Sequence, residues 1–166
     1  MVQDAPLSGV DLPVPLLIKM AKEIETVKCF KIECAQAASK LRKLVVEGGD
    51  VIEGPFDGEE GITLFADLEA GATGNMSSAM IPDLIKPVVL DYLAGEFDKS
   101  QDKYNNILPL INYENRQCGF RATKVIMKEG GVINSDFCRH PIPPLEEKTK
   151  AGLIKLVKKY DPIALS

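Results

Sequence analysis

An alternation of short apolar segments with amphipathic segments constrains the fold of this chain more than any other feature. The apolar segments are short enough for strands, and a stretch with apolar residues at helical spacing follows each of them. The predicted strands cover residues 1–4, 27–33, 51–54 and 72–78, and the predicted helices cover residues 15–24, 34–48, 61–70 and 82–93. Repeated strand–helix units form right-handed crossovers around a parallel sheet. The sequence therefore predicts an α/β protein.

Residues 98–166 lack this alternation and predict a helical extension. Helical periodicity covers residues 98–131, with an expected break near Gly119. A proline-rich loop, RHPIPP, follows, and an amphipathic helix closes the chain. We therefore expect a block of four βα units at residues 1–97 and a C-terminal helical extension at residues 98–166, packed together as one structural unit.

Composition and charge argue against several classes of protein. The 166 residues are 45% hydrophobic and 27% charged, which is typical of a folded domain. The net charge of −4 argues against nucleic-acid or anionic-membrane partners, and no apolar run approaches the roughly 20 residues of a membrane span. We expect no secretory leader, since no basic-then-apolar segment begins the chain. Four cysteines without a CxxC pair, and a single histidine, predict neither a metal site nor a disulfide framework, so the cytoplasm is the expected compartment.

The segment VKCFKIE, at residues 27–33, carries charged side chains inside an apolar strand. Alternation places Lys31 and Glu33 on one face, and Phe30 and Ile32 on the face that packs against helices. Lys31 and Glu33 then point inward near the carboxyl end of the strand, where the active sites of α/β barrels lie. Burial lowers the pKa of a lysine, and a neutral amine is the form that attacks a ketone. A structural ion pair is the open alternative, since ion-pair networks also shift pKa values.

The motifs around Lys31 resemble those of the dihydrodipicolinate synthase and N-acetylneuraminate lyase family of Schiff-base (β/α)8 barrels. In chain order they are QDAPLSGVDL, CFKIE, VIEGPFDGEEGITL, AGATGNMSS, and LAGEF followed by LPL. The resemblance implies the second half of a TIM barrel, strands five to eight, with a C-terminal helical extension. A full barrel takes about 250 residues, so the resemblance also implies that an N-terminal half-barrel is missing from this chain. Within the family, LINYENRQCG, MKEGGVI and RHPIPPL are similar to the branch that dehydrates 2-keto-3-deoxy-L-arabonate.

The resemblance implies the roles of three residues on the first two predicted strands. Lys31 falls at the position of the family's imine-forming lysine, and Glu33 is the best acid–base candidate because it shares the inward face. Gln3 falls where the family carries a proton-shuttling tyrosine, and we count it among the substrate-binding residues. An amide is no general base at neutral pH. This departure favours a dehydratase over an aldolase or synthase.

The resemblance also implies substrate contacts on the last two predicted strands. Gly54 matches the glycine of the family's seventh strand, and Asn75, Met76 and Ser77 fall where the eighth strand lines the site. Asn75 and Ser77 are able to hold substrate hydroxyls. A simple turn glycine at Gly54, and small-side-chain packing at Asn75 and Ser77, are the open alternatives.

Two other sets of polar residues are interpreted as structural. Asp57, Glu59 and Glu60 are typical of a solvated helix start, where acidic side chains are favoured. His140 lies among prolines, so we expect it to make a local hydrogen bond in a loop.

The function that the resemblance implies is dehydration of a 2-keto-3-deoxy sugar acid through a lysine imine. No metal or organic cofactor is needed, because the protonated imine is the electron sink. The expected partners are a small-molecule 2-oxo acid, further copies of the chain in a homo-oligomer, and the missing N-terminal half. Two alternatives stay open, namely an aldolase or synthase of the same family that acts on pyruvate-type substrates, and a non-catalytic half-barrel.

Overall fold

The computed structural model describes residues 1–166 and contains one parallel sheet of four strands. The strands are β1 (Val2–Asp4), β2 (Phe30–Ile32), β3 (Pro55–Asp57) and β4 (Gly74–Asn75), and they lie side by side in chain order. The helices that follow the strands are α1 (Val14–Glu23), α2 (Ala37–Gly48), α3 (Leu64–Glu69) and α4 (Pro82–Leu93). The prediction of an α/β protein with a parallel sheet is confirmed.

The third strand lies later in the chain than the sequence predicts. A strand is expected at residues 51–54, but Gly49–Val51 form a short 3-10 helix and β3 begins at Pro55. Gly54 has a φ of 50°, a left-handed value that interrupts an extended strand, and proline is tolerated at the first position of a strand. The β-branched Ile52, which favoured the earlier position, packs against the core instead. The predicted position of this strand is therefore wrong.

The helix-facing side of the sheet carries the core of the βα block. Phe30 and Ile32 are fully buried there, in one cluster with Leu17 of α1 and with Leu41 and Leu44 of α2. Each side chain of this size contributes about 1.5–3 kcal/mol when it is buried. The prediction that Phe30 and Ile32 face the helices is confirmed.

The chain divides into two compact units. The first comprises residues 1–77 and 91–96 and contains the sheet, and the second comprises residues 78–90 and 97–166. Residues 78–90 comprise the loop before α4 and most of α4. The sequence assigns them to the βα block, whereas in the structure they cluster with the helices of the second unit.

The second unit is helical. Its helices after α4 are α5 (Phe97–Tyr113), a π-helical turn (Glu114–Cys118), α6 (Arg121–Glu129) and α7 (Glu147–Val157). Gly119, with a left-handed φ of 59°, separates the π-helical turn from α6, so the predicted break near this glycine is confirmed. None of the helices in the chain combines the length and the apolar character that crossing a membrane requires.

Candidate active site

Three polar side chains meet on the face of β1 and β2 opposite to the core. Lys31 Nζ lies 2.8 Å from Glu33 Oε2, and Gln3 Nε2 donates a hydrogen bond to the same oxygen at 2.6 Å. The parallel register pairs Gln3 with Lys31, so the two residues stand side by side. The side chains of Lys31 and Glu33 are 15% and 18% exposed. Both side chains are therefore largely, but not fully, screened from water.

The backbone holds Glu33 in place although it lies one residue beyond β2. Its N–H donates to the carbonyl oxygen of Asp4 at 2.9 Å, which extends the ladder between β1 and β2 by one step. Glu33 and Lys31 are two residues apart and so share a face. The arrangement brings the Lys31 amine into contact with a carboxylate, a pairing of the kind that activates an amine nucleophile.

The carboxyl group of Glu60 lies near enough to that of Glu33 for the two charges to interact. Burial and the negative charge of Glu33 raise the pKa of Glu60, and the nearby Lys31 ammonium acts in the opposite direction. Glu60 lies in the 3-10 turn Glu59–Gly61 that precedes α3, as expected of a helix start, but it is half-buried and not fully solvated. A carboxyl group with a raised pKa is suited to donate a proton.

The backbone of residues 58–61 explains how Glu60 approaches Glu33. Glu59 and Glu60 both have left-handed φ values, 47° and 55°, which cost on the order of 1–3 kcal/mol at each non-glycine residue. A Cβ on Gly58 would lie 2.8 Å from Glu33 Cβ, so this turn passes directly over Glu33. The signal in the sequence is the GEEG pattern, because two glycines around an acidic pair permit a tight turn.

The ring of Phe56 occupies the next position on the same face. Phe56 pairs in register with Lys31 on one side and with Gly74 on the other. A Cβ on Gly54 would lie 3.1 Å from Phe56 Cζ, and a Cβ on Gly74 would lie 3.0 Å from Phe56 Cδ1. Both glycines therefore leave room for the ring. The substrate contact expected at Gly54 stays a prediction.

Asn75 and its two neighbours occupy different surroundings. Asn75 pairs in register with Asp57 and donates a side-chain hydrogen bond to Asp57 Oδ2, so it lies on the helix-facing side and the structure does not bring it to Lys31. Met76 donates its N–H to the carbonyl oxygen of Asp57 at 3.0 Å. Met76 and Ser77 are half-buried, and the substrate contacts expected of them stay predictions.

Asp57 is placed differently from its expected position in a solvated acidic loop. Because β3 lies later in the chain than predicted, Asp57 ends the strand on its helix-facing side, and it is only 1% exposed. Burial and the neighbouring Asp67 carboxylate of α3 raise the pKa of Asp57 to about 10. The interpretation of Asp57 as a solvated residue is therefore wrong.

A further polar group joins β1 to α2. Lys40 Nζ lies 2.6 Å from Asp4 Oδ2 and 2.7 Å from Asp11 Oδ1. Asp4 is fully buried, and its Oδ1 accepts a hydrogen bond from the N–H of Leu12 at 3.1 Å. These contacts fix the segment after β1, and with it the strand that carries Gln3.

This fold and this site define a class, that of parallel βα proteins with a lysine and its carboxylate partner at the carboxyl end of a strand. The chain belongs to the dihydrodipicolinate synthetase family, which matches residues 1–160. The family resemblance seen in the sequence motifs is thereby confirmed.

Individual relatives agree with this assignment. L-2-keto-3-deoxyarabonate dehydratase from Azospirillum brasilense is 52% identical over 165 residues, which are 99% of this chain and 53% of that protein. The dihydrodipicolinate synthase structure from Rhodopseudomonas palustris has a TM-score of 0.83 at 25% identity, covering 95% of this chain and 55% of its own. The structure from Aquifex aeolicus has a TM-score of 0.85 at 20% identity, covering 97% and 55%. The chain thus spans about half the length of these relatives, and its resemblance to the dehydratase branch is confirmed.

Proposed function

We propose that this chain is the imine-forming half of a lyase that dehydrates a 2-keto-3-deoxy sugar acid, with 2-keto-3-deoxy-L-arabonate as the substrate. The observation that carries the proposal is the contact of Lys31 with Glu33 Oε2, to which Gln3 also donates. The 52% identity to an L-2-keto-3-deoxyarabonate dehydratase supports it. In this proposal β1 to β4 are strands five to eight of a (β/α)8 barrel, and the half-barrel ends near residue 97.

Lys31 is the nucleophile of the proposed reaction. Glu33, 2.8 Å from Lys31 Nζ, takes the ammonium proton, and the neutral amine attacks the C2 ketone of the substrate. Glu33 returns this proton to the former carbonyl oxygen, which leaves as water, so that a protonated imine and the Glu33 carboxylate remain. Its positive charge acidifies the C3 protons, so no metal or organic cofactor enters the proposal.

Two carboxyl groups divide the proton transfers that follow. The Glu33 carboxylate removes a proton from C3, and the enamine that results expels the C4 hydroxyl. Glu60, whose pKa is raised by burial and by the charge of Glu33, donates the proton with which this hydroxyl leaves as water. Tautomerisation and hydrolysis of the conjugated imine then release a 2-oxo acid semialdehyde and regenerate Lys31.

Gln3 favours dehydration over cleavage of a carbon–carbon bond. Retro-aldol cleavage needs a base that deprotonates the C4 hydroxyl, and an amide cannot act as that base at neutral pH. Gln3 instead donates to Glu33 Oε2 at 2.6 Å, which orients this carboxylate beside Lys31. Gln3 also contacts the substrate in this proposal, together with Gly54, Met76 and Ser77, whereas Asn75 acts through its bond to Asp57.

The proposed partners are a small-molecule 2-oxo acid, an N-terminal half-barrel and further copies of the chain. The strand order β1-β2-β3-β4 leaves two sheet edges, and barrels remove such edges by pairing them with further strands. The proposed location is the cytoplasm, a reducing compartment that suits four free cysteines.

Borohydride trapping tests this proposal. The protein to use is the completed barrel, which we define as this chain joined to the N-terminal half of the Azospirillum brasilense relative. With 2-keto-3-deoxy-L-arabonate, the reduced adduct should appear on the peptide that contains Lys31, and the main product should be a 2-oxo acid semialdehyde.

A nearby lysine provides the matched control. Lys28 Nζ donates to the carbonyl oxygen of Ala21 at 2.7 Å, and Lys28→Arg keeps a donor there, so this variant should form the adduct normally. An adduct on a lysine other than Lys31 would contradict the assigned nucleophile. Pyruvate as the main product would instead identify an aldolase.

A further inference from the structure

Two carboxyl groups are buried together between β3 and α3. Asp57 is 1% exposed and Asp67 is 0% exposed. Asp67 Oδ2 accepts a hydrogen bond from Thr63 Oγ1 at 2.8 Å, and Asp57 Oδ2 accepts one from Asn75 Nδ2. The other oxygen of each carboxyl group, Oδ1, is buried without a hydrogen-bond donor.

A single proton would satisfy both of these oxygens. The carboxyl groups of Asp57 and Asp67 interact with each other, and two ionised carboxylates have no hydrogen to share. Two like charges in contact and away from water are strongly unfavourable, and such a pair retains one proton. Glu59, in the adjoining turn, adds a third negative charge and favours the protonated pair, whereas the hydrogen bond from Asn75 acts in the opposite direction; burial and the Asp67 carboxyl group outweigh it.

The pair brackets the turn that carries Glu60. Asp57 precedes this turn, and Thr63, which donates to Asp67, follows it. Within the turn Glu59 and Glu60 have left-handed φ values. Such conformations persist only where the surrounding structure imposes them, and contacts at both ends of a short turn are one way of imposing them.

We propose that Asp57 and Asp67 are positioning residues, a proton-sharing acid pair that clamps the turn at residues 58–61 and so holds Glu60 near Lys31 and Glu33. The inference rests on the proposed role of Glu60 in dehydration. The pair itself stands on its own contacts, so the two proposals can fail separately.

Two substitutions at Asp57 distinguish loss of the ionisable group from loss of the hydrogen bonds that it makes. Asp57→Asn keeps a donor for Asp67 and an acceptor for Asn75 but cannot ionise. Asp57→Leu removes both and leaves Asp67 Oδ1 buried without a hydrogen-bond partner.

Infrared spectroscopy of the completed barrel tests the shared proton directly. At mildly alkaline pH, ordinary carboxyl groups are ionised, so a protonated carboxyl band that Asp57→Asn removes belongs to the pair. Asp67→Asn should shift or remove the same band, and the exposed Asp50→Asn should leave it unchanged. If Asp57→Asn removes no such band, the acid pair does not exist and the proposal is overturned.

Kinetics test whether the pair acts through Glu60. Asp57→Leu should lower kcat by roughly 10²-fold, the cost of a displaced catalytic group, with little change in adduct formation at Lys31, and Asp57→Asn should restore most of the loss. In a Glu60→Gln background, Asp57→Leu should lower kcat little further, because coupled residues are not additive. An undiminished loss in that background would overturn the positioning role. Loss of the Lys31 adduct in the unmodified barrel would instead contradict the proposed function.

Discussion

The two faces of the sheet each hold a polar group, and the two groups follow opposite rules. On one face Lys31 and Glu33 carry opposite charges and remain 15% and 18% exposed. On the other face Asp57 and Asp67 are of like charge and are 1% and 0% exposed. Opposite charges stabilise each other even when they are partly exposed, whereas two neighbouring carboxyl groups that are closed off from water favour a state in which one keeps its proton. In our proposals the open face supplies the chemistry, and the closed face positions a group that takes part in it.

Removing Lys31 should have the largest effect on the charged group of the open face, which Lys31 forms with Glu33. We expect Lys31→Ala in the completed barrel to lose both the borohydride adduct and all dehydration. Lys31 is the proposed nucleophile, and it is its amine that contacts Glu33. Lys31→Arg keeps the positive charge but cannot form the imine, so it should be equally inactive. Mass spectrometry and product assays measure both effects, and turnover by Lys31→Arg would show that Lys31 serves only as an ion-pair partner.

Removing the charge of Glu33 should have the next largest effect. We expect Glu33→Gln to slow turnover by roughly 10²–10⁴-fold, the usual contribution of a general acid or base. The adduct at Lys31 should still form, although more slowly, since the nucleophile is intact. Single-turnover kinetics separate the two steps, with the exposed Glu25→Gln as the control. Unchanged turnover in Glu33→Gln would transfer the base role to another group.

Glu60→Gln should lower kcat toward the smaller end of that range, roughly 10²-fold. Since the protonated form of Glu60 is the proposed acid, kcat should fall as pH rises through its raised pKa. Glu60→Gln should abolish that alkaline decrease, which a pH–rate profile measures. A variant that keeps the same decrease would show that another group is responsible for it.

The sequence could predict the open face because simple periodicities determine it. Alternation within one strand fixes the common face of Lys31 and Glu33, and the parallel register of neighbouring strands brings Gln3 to them. The family motifs then supplied the expected chemistry.

The closed face depends on local geometry that hydropathy does not encode. The position of β3 is set by the left-handed φ of Gly54 and by the packing of Phe56 between two glycines. That displacement buries Asp57 and brings the turn that contains Glu60 against Glu33. An acidic DGEE segment is compatible with a solvated turn as well, so charge alone could not distinguish the two arrangements.

The smallest expected effect concerns a third charged group, in the second unit. Asp136 Oδ1 lies 2.8 Å from Lys128 Nζ, and its Oδ2 lies 2.5 Å from Lys150 Nζ. Hydrogen bonds from Lys128 and Lys150 hold the pKa of Asp136 well below its usual range. Because these lysines are partly exposed, we expect Asp136→Asn to cost only about 1 kcal/mol at neutral pH.

The contribution of Asp136 to the free energy of unfolding should depend on pH with a sign opposite to that of the contribution of Asp57. A lowered pKa in the folded state stabilises the protein above the ordinary value of 3.8, and this contribution is lost as pH falls. The raised pKa of Asp57 gives a contribution that is full below 3.8 and is lost as pH rises toward about 10.

Urea midpoints of the completed barrel should therefore show the Asp136→Asn defect fading in acid and in high salt, which screens exposed pairs. Asp57→Asn should instead flatten the decline toward alkaline pH, with little effect of salt. Equal slopes in the two variants would contradict the division between a solvated opposite-charge group and a buried like-charge pair.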